Sequence, residues 1–243
     1  MVLTTGSDVD TVDVTTTGAS SLLSVQGGDG DDSVTLRGTG AGSLSRLRGE
    51  NENDTLTVLA TAVGSVVSLD GGAGAANVLN IGEAGGSLDG LLGEVCADGT
   101  GGTSAVNVFD DGDASDNTYV VTDSTVSRSG AATVSYTDAA SLNVDGGTGM
   151  DVFNATPSAT TPYDLDGGEP TNAFGVAPGD TLLISPAGFA GVVVPLGVTN
   201  GTVTGVGMAD VDFADFEFVL LIQMPSSPMT PSPRLRSWGR KPK

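Results

Sequence analysis

Hydrophobic and polar residues alternate along most of this chain with a period of two. Ser21-Leu22-Leu23-Ser24-Val25, Ser43-Leu44-Ser45-Arg46-Leu47 and Ser65-Val66-Val67-Ser68-Leu69 form one set of such segments. Each runs into a Gly-rich turn and then a second alternating segment: Ser33-Val34-Thr35-Leu36, Thr55-Leu56-Thr57-Val58 and Asn77-Val78-Leu79-Asn80-Ile81. A period of two places apolar side chains on one face of a strand and polar ones on the other. Val, Ile and Thr are the residues a half-buried pleated surface prefers. No segment combines helical periodicity, caps and length. The best candidate, Leu88 to Val95, contains two glycines. The pattern predicts an all-β chain.

The turns recur. Gly27-Gly28-Asp29-Gly30-Asp31-Asp32, Gly49-Glu50-Asn51-Glu52-Asn53-Asp54 and Gly71-Gly72-Ala73-Gly74-Ala75-Ala76 start 22 residues apart. Gly146-Gly147-Thr148-Gly149-Met150-Asp151 and Gly167-Gly168 follow later. A strand-turn-strand unit of this size cannot close a core alone and gains stability by stacking on its neighbours. The spacing predicts a parallel β-solenoid with coils of about 22 residues, placing Asp32 over Asp54 and Ala76. The rival architecture is a β-sandwich. Residues 1–223 read as one repeat domain, a fragment of something longer. Residues 224–243 read as a disordered, dispensable tail rich in Pro and Ser.

Composition narrows the function. Glycine accounts for 37 of 243 residues, about twice its usual share, and aromatics for only 5%. Thirty acids face nine basic residues, for a formal charge of -21. Five of those nine, Arg234, Arg236, Arg240, Lys241 and Lys243, lie in the tail. Such a charge repels phosphate backbones, so nucleic acid is not an expected partner. No apolar run reaches the ~18 residues that a membrane-spanning helix needs. With no histidine and one cysteine, Cys96, His-based triads, His-ligated metals and disulfides are all excluded.

Gly27 to Thr35 fits the pattern G-G-x-G-x-D-x-U-x, and so does Gly146 to Asn154. Gly49 to Thr57 fits in part, and Gly71 to Leu79 lacks the Asp. The fit resembles the calcium-binding nonapeptide of RTX proteins. The longer pattern is similar to repetitive cell-surface β-solenoid proteins of planctomycete-like bacteria. That resemblance implies an extracellular or cell-surface setting. It also implies neighbouring repeats of a parent chain, and surface polysaccharide or other cell-surface proteins as partners. Calcium takes six to eight oxygens from carboxylates and carbonyls. The expected ligands are Asp29, Asp31, Asp32, Asn51, Asn53 and Asp54 on two stacked turns, with Asp151 at a later one. The alternative is that these side chains cap backbone amides.

Catalysis has less to stand on. A glycoside hydrolase needs two carboxylates at a set separation, and the densest acids are Asp110, Asp111 and Asp113. A lyase base would come from Arg37, Arg46, Arg48 or Arg128. The loop Asp110 to Asp116 begins like an EF-hand but lacks its closing Glu. The expectation is a non-catalytic structural or adhesive segment. A calcium-binding module and a carbohydrate-active β-helix are the alternatives.

Overall fold

The computed structural model describes residues 1–100, 104–186 and 188–222. The predicted tail lies outside the described residues. Among them the elements are strands, with a single 3-10 turn at Leu88–Gly90 where the sequence offered its best helical candidate.

The strands form two sheets. The eleven-stranded sheet runs β1 (Val2–Gly6), β3 (Leu22–Gly28), β5 (Leu44–Glu50), β7 (Val66–Asp70), β9 (Glu94–Asp98), β13 (Val134–Thr137), β12 (Thr125–Arg128), β11 (Thr118–Val121), β15 (Val152–Ala155), β17 (Thr181–Ile184), β21 (Phe218–Leu221). The ten-stranded sheet runs β18 (Ala190–Val193), β19 (Gly201–Val206), β20 (Val211–Ala214), β16 (Tyr163–Asp166), β14 (Ala139–Asp145), β10 (Ser104–Phe109), β8 (Val78–Ile81), β6 (Thr55–Val58), β4 (Ser33–Leu36), β2 (Thr11–Val14). For most of its length the chain crosses from one sheet to the other after each strand, so neighbours within a sheet pair parallel.

The period-two pattern determines which side chains meet between the sheets. Val34, Leu36, Leu56, Val58, Leu79 and Ile81 point inward from one sheet, and Val25, Leu47, Val67, Leu69 and Val95 from the other. They join one continuous core. Fully burying each such side chain contributes about 1.5–3 kcal/mol. Toward the C-terminal half the core turns aromatic: Tyr119 stacks on Phe153 with ring centroids 4.2 Å apart, and Phe216 meets Phe153 edge-on.

This architecture corrects the predicted solenoid of uniform coils. Two large sheets of short strands pack face to face as a β-sandwich, with parallel pairing where a hairpin-built sandwich would be antiparallel. The rows are not uniform. Ser33 pairs with Thr55, 22 residues on, but Thr55 pairs with Val78, Val78 with Ala105, and Ala105 with Ser141. An antiparallel excursion, β11 to β12 to β13, widens the eleven-stranded sheet in mid-chain, and β18 and β19 add antiparallel strands to the ten-stranded one.

The glycine-rich turns also change position. In the first half they carry the chain from the end of an eleven-sheet strand to the start of a ten-sheet strand, as from β3 to β4. After the excursion, the turn at 146–151 runs the other way, from β14 to β15, at the opposite edge of the sandwich. The turns at 27–32 and 146–151 therefore do not belong to one stack.

Rows approach closely at these corners. A Cβ at Gly49 would collide with Asp54 Oδ2 and come within 2.6 Å of the Gly71 carbonyl oxygen. At Gly18 the nearest atom would be 3.9 Å away. Gly49→Ala is expected to lower the melting temperature by several degrees, and Gly18→Ala to leave it within about one degree, in thermal denaturation followed by circular dichroism.

Candidate functional site

At each corner the sheet hydrogen bonding is interrupted and a backbone N–H needs another acceptor. The residue just before a strand supplies it to the row below. Asp32 Oδ1 accepts from the Asp10 N–H at 2.7 Å, Asp54 Oδ1 from the Asp32 N–H at 2.9 Å, and Asn77 Oδ1 from the Asp54 N–H at 2.8 Å. Asp32 and Asp54 lie one above the other; the next rung is Asn77, not Ala76, because the third turn is one residue longer.

A second ladder occupies the opposite corner. Asp151 Oδ1 accepts from the Asn117 N–H at 2.8 Å, and its Oδ2 from Gly147 N–H at 3.0 Å. Asp180 Oδ1 accepts from the Asp151 N–H at 2.5 Å, and the Glu217 carboxylate from the Asp180 N–H at 2.6 Å. Asp180 and Glu217 escaped the sequence reading. Their signal was present, since an acid or amide stands immediately before β4, β6, β8, β11, β15, β17 and β21.

The expected calcium ligands are thus divided among several tasks. Asp32, Asp54 and Asp151 are buried rungs of two different ladders. Asp29 Oδ1 instead accepts from Asn51 Nδ2 at 2.7 Å on the exposed rim, and Asp31 Oδ1 from the Asn53 N–H at 3.0 Å. Asn53 Oδ1 accepts from the N–H groups of Ala75 and Ala76. Among the described residues no group of three or more His, Cys, Asp or Glu is disposed to hold a metal ion. The calcium expectation is corrected accordingly. The carboxylates and Asn53 accept from separate N–H groups and Asn51 donates to Asp29, whereas calcium needs its oxygens gathered around one point.

The ladders hold carboxylates under strong desolvation. Asp32, Asp54 and Asp180 each bury an Oδ2 that has no hydrogen-bond partner. Burial pushes the Asp54 carboxyl up to about 6, against the opposing pull of the Asp32 N–H, with Asp32, Asp31 and Glu52 adding repulsion. Burial pushes Asp180 up to about 7, where Asp151, Glu217 and Asp166 add to it. Asp151 is raised for the same first reason.

Where the excursion leaves the sheet, Arg128 enters the interior. Its Nε donates to Asp110 Oδ2 at 2.7 Å, its Nη1 to Asp89 Oδ1 at 2.7 Å, and its Nη2 to Asp113. Tyr119 donates its hydroxyl to Asp110 at 2.6 Å, and Asp110 Oδ1 accepts from the Leu88 N–H. Burial opposes the charge on Arg128, but Asp110 and Asp89 outweigh it and raise its affinity for the proton. Burial likewise opposes ionisation of Asp113, yet hydrogen bonds from Ser115 and Asn117, with the Arg128 charge, hold its carboxyl below the usual range. Of the densest acids of the sequence, Asp110 and Asp113 are therefore paired with Arg128, and Asp111 accepts from the Gly85 N–H at 2.8 Å. Of the other lyase candidates, Arg46 and Arg48 reach Asp70 on the outer face and Arg37 pairs with Asp13, while Cys96 sits in the outward column beside Glu94.

No family model, curated protein or solved structure matches this chain. The resemblance to planctomycete-like surface solenoids and RTX turns is therefore corrected: short turn motifs carry it, while the whole is a two-sheet sandwich whose turns change corners. Among the described residues no helix is long and apolar enough to cross a membrane.

Two predictions follow from the ladders and the ion cluster. A carboxyl raised on folding contributes stability fully present below its unfolded value, near 3.8, and lost as pH rises through the folded value. The melting temperature should thus fall between pH 4 and pH 8. Asp54→Asn and Asp180→Asn keep the accepting oxygen without the buried charge, as Asn77 already does. Each should flatten that slope and raise the pH 8 melting temperature by about 2–4 °C, read by calorimetry. Arg128→Met leaves Asp110 and Asp113 unpaired and should cost about 3–5 kcal/mol in urea denaturation.

Proposed function

We propose that this chain is a non-catalytic structural or adhesive segment of an extracellular or cell-surface protein. The observation that carries the reading is the use of its buried acids. Asp32, Asp54, Asp110, Asp151, Asp180 and Glu217 accept from backbone amides that parallel pairing leaves open at the corners. Side chains so placed tie one row to the next along the stacking direction. At about 4.8 Å per row, eleven strands extend the body about 50 Å. A body held this way transmits load along its length and leaves its outer faces free for contact.

The test is force spectroscopy on the full chain held between marker domains, with a parallel incubation against a panel of polysaccharides. The expected result is a mechanically resistant unfolding event that Asp32→Ala with Asp151→Ala weakens, and no release of sugar products. Appearance of reducing ends or unsaturated sugars would replace this reading with a carbohydrate-active one. Unfolding at forces that the double variant does not alter would remove the load-bearing role.

A further inference from the structure

The outer face of the ten-stranded sheet carries two adjacent columns of side chains. One consists of Thr35, Thr57, Asn80, Asn107 and Asn143, in direct register across β4, β6, β8, β10 and β14. Its amides are ordered: Asn143 Nδ2 donates to Asn107 Oδ1 at 2.6 Å, Asn107 Nδ2 to Asn80 Oδ1 at 2.9 Å, and Asn80 Nδ2 to Thr57 Oγ1 at 3.3 Å. Two residues further on, just past the ends of β4, β6 and β8 and at the end of β10, the second column holds Arg37, Leu59, Gly82 and Phe109. Gly82 sits between Leu59 and Phe109, so close to the latter that an added Cβ would lie 2.6 Å from its carbonyl oxygen.

The result is an open groove of about 380 Å³. Its floor is Leu59, Gly82 and the half-buried Phe109; its wall is Thr35, Thr57 and Asn80. That volume lies in the range of small-ligand sites, about 300–1,000 Å³. Charges of opposite sign stand on the rim: Arg37, held by a two-pronged pair with Asp13 at 2.8 and 2.9 Å, and Glu83.

From this juxtaposition we infer that the groove binds a neutral polysaccharide chain, one sugar ring lying with its C–H face on Phe109 and Leu59. A sugar ring presents an apolar face and an equatorial belt of hydroxyls, and the groove offers an apolar floor beside a polar wall. The Thr35 hydroxyl makes no hydrogen bond among the described residues. Asn80 uses only one of its two amide hydrogens on Thr57, so the wall retains donors and acceptors. Charge selects the class. A chain at -21 repels polyuronates and sulfated chains, and the rim, where Asp13 and Glu83 stand against the single cation Arg37, adds to that repulsion. Ligand chains that run along the column meet a new rung at every strand, about 4.8 Å apart. This assignment rests on the adhesive reading above and gives it a ligand.

The test is isothermal titration of the full chain with hexamers of β-1,4-linked glucose, mannose and N-acetylglucosamine, and of galacturonic acid as the anionic comparison. At least one neutral hexamer is expected to bind saturably, and the anionic one not at all. Phe109→Ala should weaken the neutral ligand at least about tenfold. Thr35→Val, which alters only the wall, should weaken it several-fold and serves if Phe109→Ala does not fold. Arg46→Ala, on the other sheet, should change nothing. Absence of saturable binding to all neutral hexamers, preference for the acidic one, or full binding by both groove variants would overturn the groove. If binding fails while the ladder variants still weaken the body under force, only the groove is lost. Loss of both would remove the adhesive reading too.

Discussion

The structure depends on a single constraint: where parallel strands turn a corner, backbone amides fall outside the sheet ladder and still require acceptors. A buried amide left unpaired costs about 1–3 kcal/mol, and these corners recur throughout the described residues. The solution is an acceptor side chain placed one residue before β4, β6, β8, β15, β17 and β21 and aimed at the neighbouring row. Once the acceptor is a carboxylate, the turn must keep close to it, and glycine becomes necessary. At Gly27 an added Cβ would lie 2.5 Å from Asp32 Oδ2 and 2.7 Å from the Gly49 carbonyl oxygen. High Gly and high Asp content are therefore one feature, not two.

The same constraint explains the middle of the chain. One ladder ends near Asn77 and the other begins near Asn117, at the opposite corner. Between them lies the β11–β12–β13 excursion. Beside it lies a cluster of interior acids that needs a cation, although Asp110 also accepts from the Leu88 N–H and Asp113 from the Ser115 N–H. Arg128 answers that need by neutralising Asp110 and Asp113 together, and Tyr119 adds a further donor. The arrangement is buried, so its value lies in position. An Arg anywhere else on β12 would leave the carboxylates uncompensated.

Much of this was legible in the sequence. Alternation placed Leu56, Val67 and Leu79 inside correctly, and the 22-residue interval set Asp32 over Asp54. The overall architecture was not legible. A repeat interval specifies which strands pair but not whether the units stay in phase, and a one-residue insertion before Val78 was enough to move the rung from Ala76 to Asn77. The later turns lie at the other corner, after an antiparallel pairing between Tyr119 and Arg128 that has no local signature. The candidate site was misread for a related reason. An Asp in a Gly-rich turn looks the same whether it faces an ion or an amide, and only the row below distinguishes them. The position just before the strand was the more informative clue, and it would have added Asp180 and Glu217.

Placing stability at the corners has a consequence for the faces. The core needs only small and β-branched residues to fill the space between two sheets, and the ladders fix the rows, so outward positions carry little structural burden. The two outer faces have accordingly diverged. On the eleven-stranded sheet the outward column Leu22, Leu44, Val66 gives way to Glu94, and Arg46 and Arg48 lie beside it. On the ten-stranded sheet, hydroxyls and amides form an ordered column next to a hollow, then yield to Asp145, Asp164, Asp166 and Asp212. Burial, with Asp166, Asp111 and Asp164 nearby, pushes Asp145 up to about 6. The column of hydroxyls and amides that walls the groove is thus bounded along the stack by an increasingly acidic one. A neutral polymer can cross that boundary without electrostatic cost, whereas an acidic polymer meets rising repulsion with every strand.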